Sequence, residues 1–182
     1  MKTTRYVALF RGINVGRAKR VAMADLRALI EGLGYGDVRT LLNSGNVVFS
    51  ASAATAGNAA SRIEESLATK LGVSARVTLL TAAELASIVV ENPMLEIADD
   101  PSRLLVAVLS DSTDRAKLEP LLEQDWAPDA LAIGSRFAYV WCSGGILESR
   151  LAQAVGRALG NAATTRNWAT ILKLHALICD KT

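Results

Sequence analysis

The sequence predicts an α+β protein made of two ferredoxin-like (βαββαβ-type) subdomains, the second with a terminal helix in place of its last strand. Three observations carry that expectation. Apolar residues switch between period two and period three-to-four in the order β-α-β-β-α-β over the first half. A stretch with two prolines and adjacent aspartates follows, and a similar order starts again after it. With 182 residues, 51% of them hydrophobic, the chain is long enough to bury most of its apolar surface.

In the first half, residues 5–10 read as a strand. Met23, Leu26, Leu29, Ile30 and Leu33 fall on one helical face, and Gly34 is placed to end that helix. Val38 to Leu42 and Val47 to Phe49 read as two strands around a Ser-Gly turn. A second helix starts near Ser61, where Ser61 and Glu64 have capping-box spacing, and its apolar face is Ile63, Leu67 and Leu71. Arg76 to Leu80 is the next strand. Thr81 and Glu84 repeat the capping box ahead of a connecting helix, which Asn92-Pro93 stops. These signals set the expected divisions at 1–91, a linker at 92–102, and 103–182.

In the second half, Leu104 to Leu109 is a continuous apolar strand. Helical turns occupy about 113–125, with Pro120 starting a fresh segment. Ala130 to Ile133 and Phe137 to Cys142 form a hairpin around Gly134-Ser135, a pair suited to a type II′ turn. A helix near 148–159 follows. Another runs from about 165 to 179, with Thr164 or Thr165 as its N-cap.

The net charge is only +2, but it is unevenly placed. Residues 1–46 carry eight Lys/Arg against three Asp/Glu, residues 91–129 three against ten, and residues 130–182 six against two. Basic ends around an acidic middle suggest a local positive patch, and the other reading of the acidic stretch is a solvated face. No apolar run approaches the roughly eighteen residues of a membrane span. The N-terminus lacks the small-residue cleavage site of a secretory signal. Cys142 and Cys179 are isolated from each other and from metal-ligand spacings. The expectation is a cytoplasmic protein with two free thiols, no metal, no cofactor and no membrane contact.

Three polar stretches interrupt this apolar pattern. The loop from Arg11 to Val21 is longer than a βα connection requires, and its surplus is Arg11, Arg17, Lys19 and Arg20 around Gly12 and Gly16. Glycines let backbone N–H groups approach a ligand, and the helix that follows presents unpaired donors at its positive end. The spacing is neither that of the dinucleotide fingerprint nor that of a P-loop. Asn43-Ser44-Gly45-Asn46 is first a hairpin turn. In a βαββαβ unit, strands one and three are antiparallel neighbours, so this turn lies beside Arg11. Thr165-Arg166-Asn167-Trp168 opens the last helix, where the Arg166 cation opposes the helix dipole and needs an anionic partner. The alternative throughout is structural: glycines that only permit turns, and cations that are only solvated.

These residues also carry a resemblance. Arg11-Gly12-Ile13-Asn14-Val15-Gly16, Arg39-Thr40, Asn43 through Phe49, Asn92-Pro93 and Thr165-Arg166-Asn167-Trp168 follow the order and spacing of a widespread bacterial family, domain of unknown function 1697. The resemblance spans essentially the whole chain and implies two ferredoxin-like subdomains. It implies no activity. Relatives carry Lys after the serine that precedes the penultimate helix, whereas Arg150 follows Ser149 here, which keeps the charge but alters the contact geometry.

Donor-rich stretches with few proton shuttles point to holding an anion in place. The expected ligand-binding residues are Arg11, Gly12, Asn14, Gly16, Lys19, Asn43, Ser44, Asn46, Arg166 and Asn167. The expected ligand is a small phosphate- or carboxylate-bearing molecule, with the site where the halves meet. Two alternatives stay open. One is an enzyme acting on a phosphorylated or nucleotide substrate by positioning and charge stabilisation. The other is an RNA-binding module, for which Tyr6, Phe10 and the Phe137, Tyr139, Trp141 stripe are the aromatics to watch. The single histidine, His175, shares a helix face with Ile171, Leu172 and Ile178 and reads as structural.

Overall fold

Alternation decides the first strand. In β1 (Thr3–Arg11), Ala8 and Phe10 turn to one face and Val7 and Leu9 to the other, and all four are buried. The computed structural model describes residues 3–17 and 19–180; Met1, Lys2, Ala18, Lys181 and Thr182 lie outside it. β1 pairs antiparallel with β3 (Asn46–Ser52) on one side and with β4 (Arg76–Thr81) on the other. β2 (Gly36–Leu41) pairs with β3, giving the order β2-β3-β1-β4. This is the expected ferredoxin-like sheet.

The helices α1 (Met23–Gly32), α2 (Ala53–Ala56) and α3 (Ala59–Ser66) belong to this unit. Leu26, Ile30, Ile63 and Leu67 pack with Ala8, Phe10, Val47 and Phe49 in one core cluster. α3 continues as a π-helical turn, Leu67–Leu71, that ends at Gly72 with φ 64°. Ser61 does not cap it. The helix starts at Ala59, and the Glu64 carboxylate accepts the Val77 N–H of β4 at 2.7 Å instead. The second capping box is as expected: Thr81 N–H donates to Glu84 at 2.7 Å and Glu84 N–H to Thr81 Oγ1 at 3.1 Å.

The second unit repeats the plan. β5 (Leu104–Leu109) lies between β7 (Phe137–Trp141) and β8 (Ala163–Asn167), and β6 (Ala130–Ile133) pairs with β7, all antiparallel. A 3-10 turn (Ser112–Lys117) and α5 (Glu119–Leu122) join β5 to β6, and Pro120 sits at the start of α5 as its ring prefers. α6 (Arg150–Leu159) buries Leu151, Val155 and Leu159 against Ala107, Leu109 and Val140.

Two local expectations change. The last helix, α7 (Trp168–Cys179), adds to the ferredoxin-like unit, because the strand β8 precedes it. Thr164 and Thr165 are β-branched and pair with Val108 and Ala107, so they extend the sheet and do not cap a helix. The cap is Asn167, whose Oδ1 accepts from Thr170 N–H at 2.9 Å and Thr170 Oγ1 at 2.8 Å. The hairpin tip shifts to Ser135-Arg136: Gly134 N–H donates to Phe137 O at 2.7 Å, and Gly134 lacks the positive φ that a type II′ turn requires.

The chain divides into a unit of Met1–Ala86 with Leu174–Thr182 and a unit of Ser87–Lys173, passing between them within α4 (Ala82–Val90) and within α7. In the first unit, Arg5 Nη1 donates to the Ile178 carbonyl at 2.8 Å and to the Asp180 carbonyl, and Arg39 pairs with the Asp180 carboxylate at 3.2 Å. The end of α7 is thereby held by cations of the sort its dipole favours. No helix among the described residues is long and apolar enough to cross a membrane.

Candidate functional site

The loop after β1 turns on three left-handed residues, Gly12 (φ 86°), Asn14 (φ 54°) and Gly16 (φ 57°). A side chain added at Gly12 or Gly16 meets only open space, so these glycines serve backbone conformation and not close packing. Ile13, between them, is fully buried and anchors the loop in the first core.

Asn14 closes the loop on itself. Its Oδ1 accepts from Val21 N–H at 2.7 Å, and its Nδ2 donates to Val21 O at 2.9 Å and to Asn43 O at 2.8 Å. The third bond joins the loop to the β2–β3 turn. Phe10 N–H donates to Gly45 O at 2.9 Å, and Leu9 pairs with Asn46, so the two polar stretches share one end of the sheet as topology requires. Asn46 is fully buried, with Nδ2 donating to Leu41 O at 2.8 Å and Ser44 Oγ at 3.0 Å. The Asn14 and Asn46 carboxamides are therefore occupied in shaping the site. Lys19 is occupied too: its Nζ donates at 2.6 Å to Leu71 O, at the end of the π turn. Arg20 donates to Asn14 O at 2.9 Å.

Sequence reasoning missed Arg76. It pairs with Arg11 across β1 and β4, and residues directly opposite in a ladder turn to the same face. That face carries Leu9, Asn46 and Thr78 and lies opposite the helices. The signal was present: in a βαββαβ unit, the last residue of strand one and the first of strand four are neighbours. Arg17 and Arg76 are exposed and form no ion pair among the described residues. The α1 start adds backbone donors, because Ala22 at its N-cap offers no side-chain acceptor. Together these features gather positive charge and backbone donors at one sheet end of the first unit.

Arg166 and Asn167 belong to the second unit. Arg166 lies in β8 opposite Val106, with Nη1 donating to Thr165 O at 2.8 Å, so it does not oppose the α7 dipole from a first turn. Burial pushes its guanidinium down to about 10, so it stays cationic at neutral pH. Asn167 spends its carbonyl as the α7 cap.

The second unit also holds a polar knot. The Asp129 carboxylate accepts from Ser143 N–H (2.9 Å), Ser143 Oγ (2.8 Å) and Ser149 Oγ (2.7 Å), and Ser149 Oγ caps α6 by accepting from Ala152 N–H at 2.9 Å. This serine is a structural cap, and its hydroxyl proton already has an acceptor. Both thiols are free, Cys142 buried and Cys179 exposed with Sγ 3.8 Å from His175 Nε2. Among the described residues, no three His, Cys, Asp or Glu side chains gather as metal ligands. Phe10, Phe137, Tyr139 and Trp141 are buried, and Tyr6 stacks on Phe49 at 5.7 Å.

The family model described as a protein of unknown function (DUF1697) matches residues 3–139. The fold is similar to that of the conserved bacterial protein SP0830 from Streptococcus pneumoniae, with a TM-score of 0.78, 22% sequence identity, and coverage of 98% of this chain and 100% of that one. No curated protein shows significant sequence similarity to the chain.

Proposed function

We propose that this chain, which belongs to the DUF1697 family of proteins of unknown function, binds a small phosphate- or carboxylate-bearing ligand at the end of its first sheet. One observation carries the reading: Arg11 and Arg76 stand directly opposite each other beside the glycine-rich loop. Like charges so placed repel, and an anion between them turns that repulsion into two charge-assisted hydrogen bonds. Arg17 and the uncapped α1 start add charge and donors, while Asn14, Lys19 and Asn46 hold the loop in shape. Arg166 and Asn167 are not needed for this site. Phe10, Phe137, Tyr139 and Trp141 are buried and Tyr6 is half-buried against Phe49, which supports the anion-binding reading over the RNA-binding alternative.

The test is a thermal-shift series with inorganic phosphate, sulfate and small phosphorylated or carboxylated metabolites, at constant ionic strength. A ligand at a hundredfold its dissociation constant stabilises by about 2.7 kcal/mol. That shift is expected in wild type and lost in Arg11→Ala and Arg76→Ala. Equal shifts in all three proteins, or none in any, overturn the reading.

A further inference from the structure

The geometry points to a second binding site, wholly within the second unit, and we propose that it takes a nucleoside phosphate. A groove of about 390 Å³ lies between residues 121–126 and α6. That volume is in the range of small-molecule sites. Arg150, Gln153 and Arg157 are spaced i, i+3, i+7 and form one stripe along α6. Leu121, Gln124 and Trp126 form the other side.

The lining is chemically one-sided. It holds two guanidiniums, two carboxamides and an indole, and no carboxylate, although Glu119, Glu123 and Asp125 are near in sequence. Neither arginine makes a hydrogen bond or ion pair among the described residues. Trp126 has committed its indole N–H to Leu121 O at 2.7 Å and packs partly on the second core, so what it offers a ligand is the part of its ring that lines the groove.

Each part has a use on a nucleotide. Arg150 is exposed in the first turn of α6, and its planar guanidinium suits bidentate contact with a phosphate. Trp126 and the flat Arg157 guanidinium offer stacking surfaces for a base. Gln124 and Gln153 each carry a donor pair and an acceptor suited to base edges. Seven residues of helix separate the two arginines by about 10 Å, which matches an elongated ligand better than a single ion.

Gln124 and Gln153 are the only glutamines in the chain, and both line the groove. Selective amide ¹⁵N-glutamine labelling of the full chain therefore reports on this site alone. Titration with AMP, CMP, GMP and UMP should move both side-chain signals saturably with at least one nucleotide. Arg150→Gln and Arg157→Gln, read through the two native glutamine signals, should each weaken that binding tenfold or more. Signals that stay still at millimolar nucleotide overturn the proposal. So does binding undiminished in both variants, or movement by inorganic phosphate at equal concentration as large as that by nucleotide. The comparison of phosphate with nucleotide uses wild type only, so it stands even if a variant misfolds.

Discussion

Arg11 and Arg76 occupy directly opposed positions in the β1–β4 ladder, two cations on one face at the end of a sheet. An opposed pair of like charge is destabilising, and one of opposite charge contributes about 0.2–1 kcal/mol. Arg76→Glu should therefore raise the melting temperature of the anion-free protein by up to about 4 °C, for a chain of this size. The same change should abolish the phosphate-dependent shift. A variant that melts lower without phosphate, or still responds to it, contradicts the pairing argument.

Asn14 should matter as a brace more than as a ligand contact. Its carboxamide makes three hydrogen bonds, two to Val21 and one to Asn43, from a left-handed backbone that asparagine tolerates. At about 0.5–1.5 kcal/mol per bond, Asn14→Ala should cost roughly 1.5–4.5 kcal/mol in a denaturant titration with unchanged slope. Amide exchange should quicken at Val21, whose N–H loses its acceptor. Unchanged stability and exchange would return Asn14 to the set of free ligand donors.

The loop and the turn place different demands on their glycines. A Cβ at Gly45 (φ 83°) would sit 2.5 Å from Ile13 Cδ1 and 2.7 Å from Phe10 Cβ, whereas one at Gly12 (φ 86°) meets nothing within 4 Å. Gly45→Ala combines overpacking, about 1–3 kcal/mol, with a left-handed penalty of about 1–2 kcal/mol. Gly12→Ala carries only the second. The two variants should differ in denaturation midpoint, Gly45→Ala lower. Equal midpoints would mean that Ile13 yields without cost.

Local chemistry made most of this fold legible. The Thr81/Glu84 capping box, the Pro120 helix start and the placement of Asn46 beside β1 all depend on spacing or on topology that follows from element order. β8 was not legible. Ala163–Asn167 has no apolar alternation of its own, and it becomes a strand by pairing with β5, more than fifty residues earlier in sequence. The candidate site divides the same way. Its position at the sheet end follows from topology, but the occupations of Asn14, Lys19 and Asn46 depend on carbonyls of Asn43, Leu71 and Leu41 that only the folded chain brings near.

Asp129 predicts an acid-sensitive second unit. Burial raises its pKa, but hydrogen bonds from Ser149 Oγ and from Ser143 Oγ and N–H outweigh that and hold it below the usual carboxylate value. A depressed folded-state value means that its stabilisation is present above the unfolded pKa, about 3.9, and is lost as pH falls through the folded one. Asp129→Asn turns an amide donor towards a hydroxyl that needs an acceptor, and should cost about 1–3 kcal/mol at pH 7. The gap from wild type should narrow below about pH 4 as the native carboxylate protonates. A gap that stays constant down to pH 2 would show that packing, and not charge, carries the effect.

The two cysteines should separate cleanly in reactivity. Cys142 is fully buried, and its Sγ lies 3.7 Å from Val140 O. Burial pushes its thiol pKa up, a contact with Ser149 opposes this, and the Asp129 charge adds to the rise. The thiolate is the nucleophile, so Cys142 is both inaccessible and protonated at neutral pH. Cys179 is exposed at the end of α7, beside His175. An aromatic disulfide reagent at pH 8 should therefore titrate one thiol quickly, and Cys179→Ser should remove that phase. Cys142 should react only at the rate at which the second unit opens, and denaturant should accelerate it. Two fast phases in wild type, or a fast phase surviving in Cys179→Ser, would show that the β7 end opens readily and that Asp129 does not lock it.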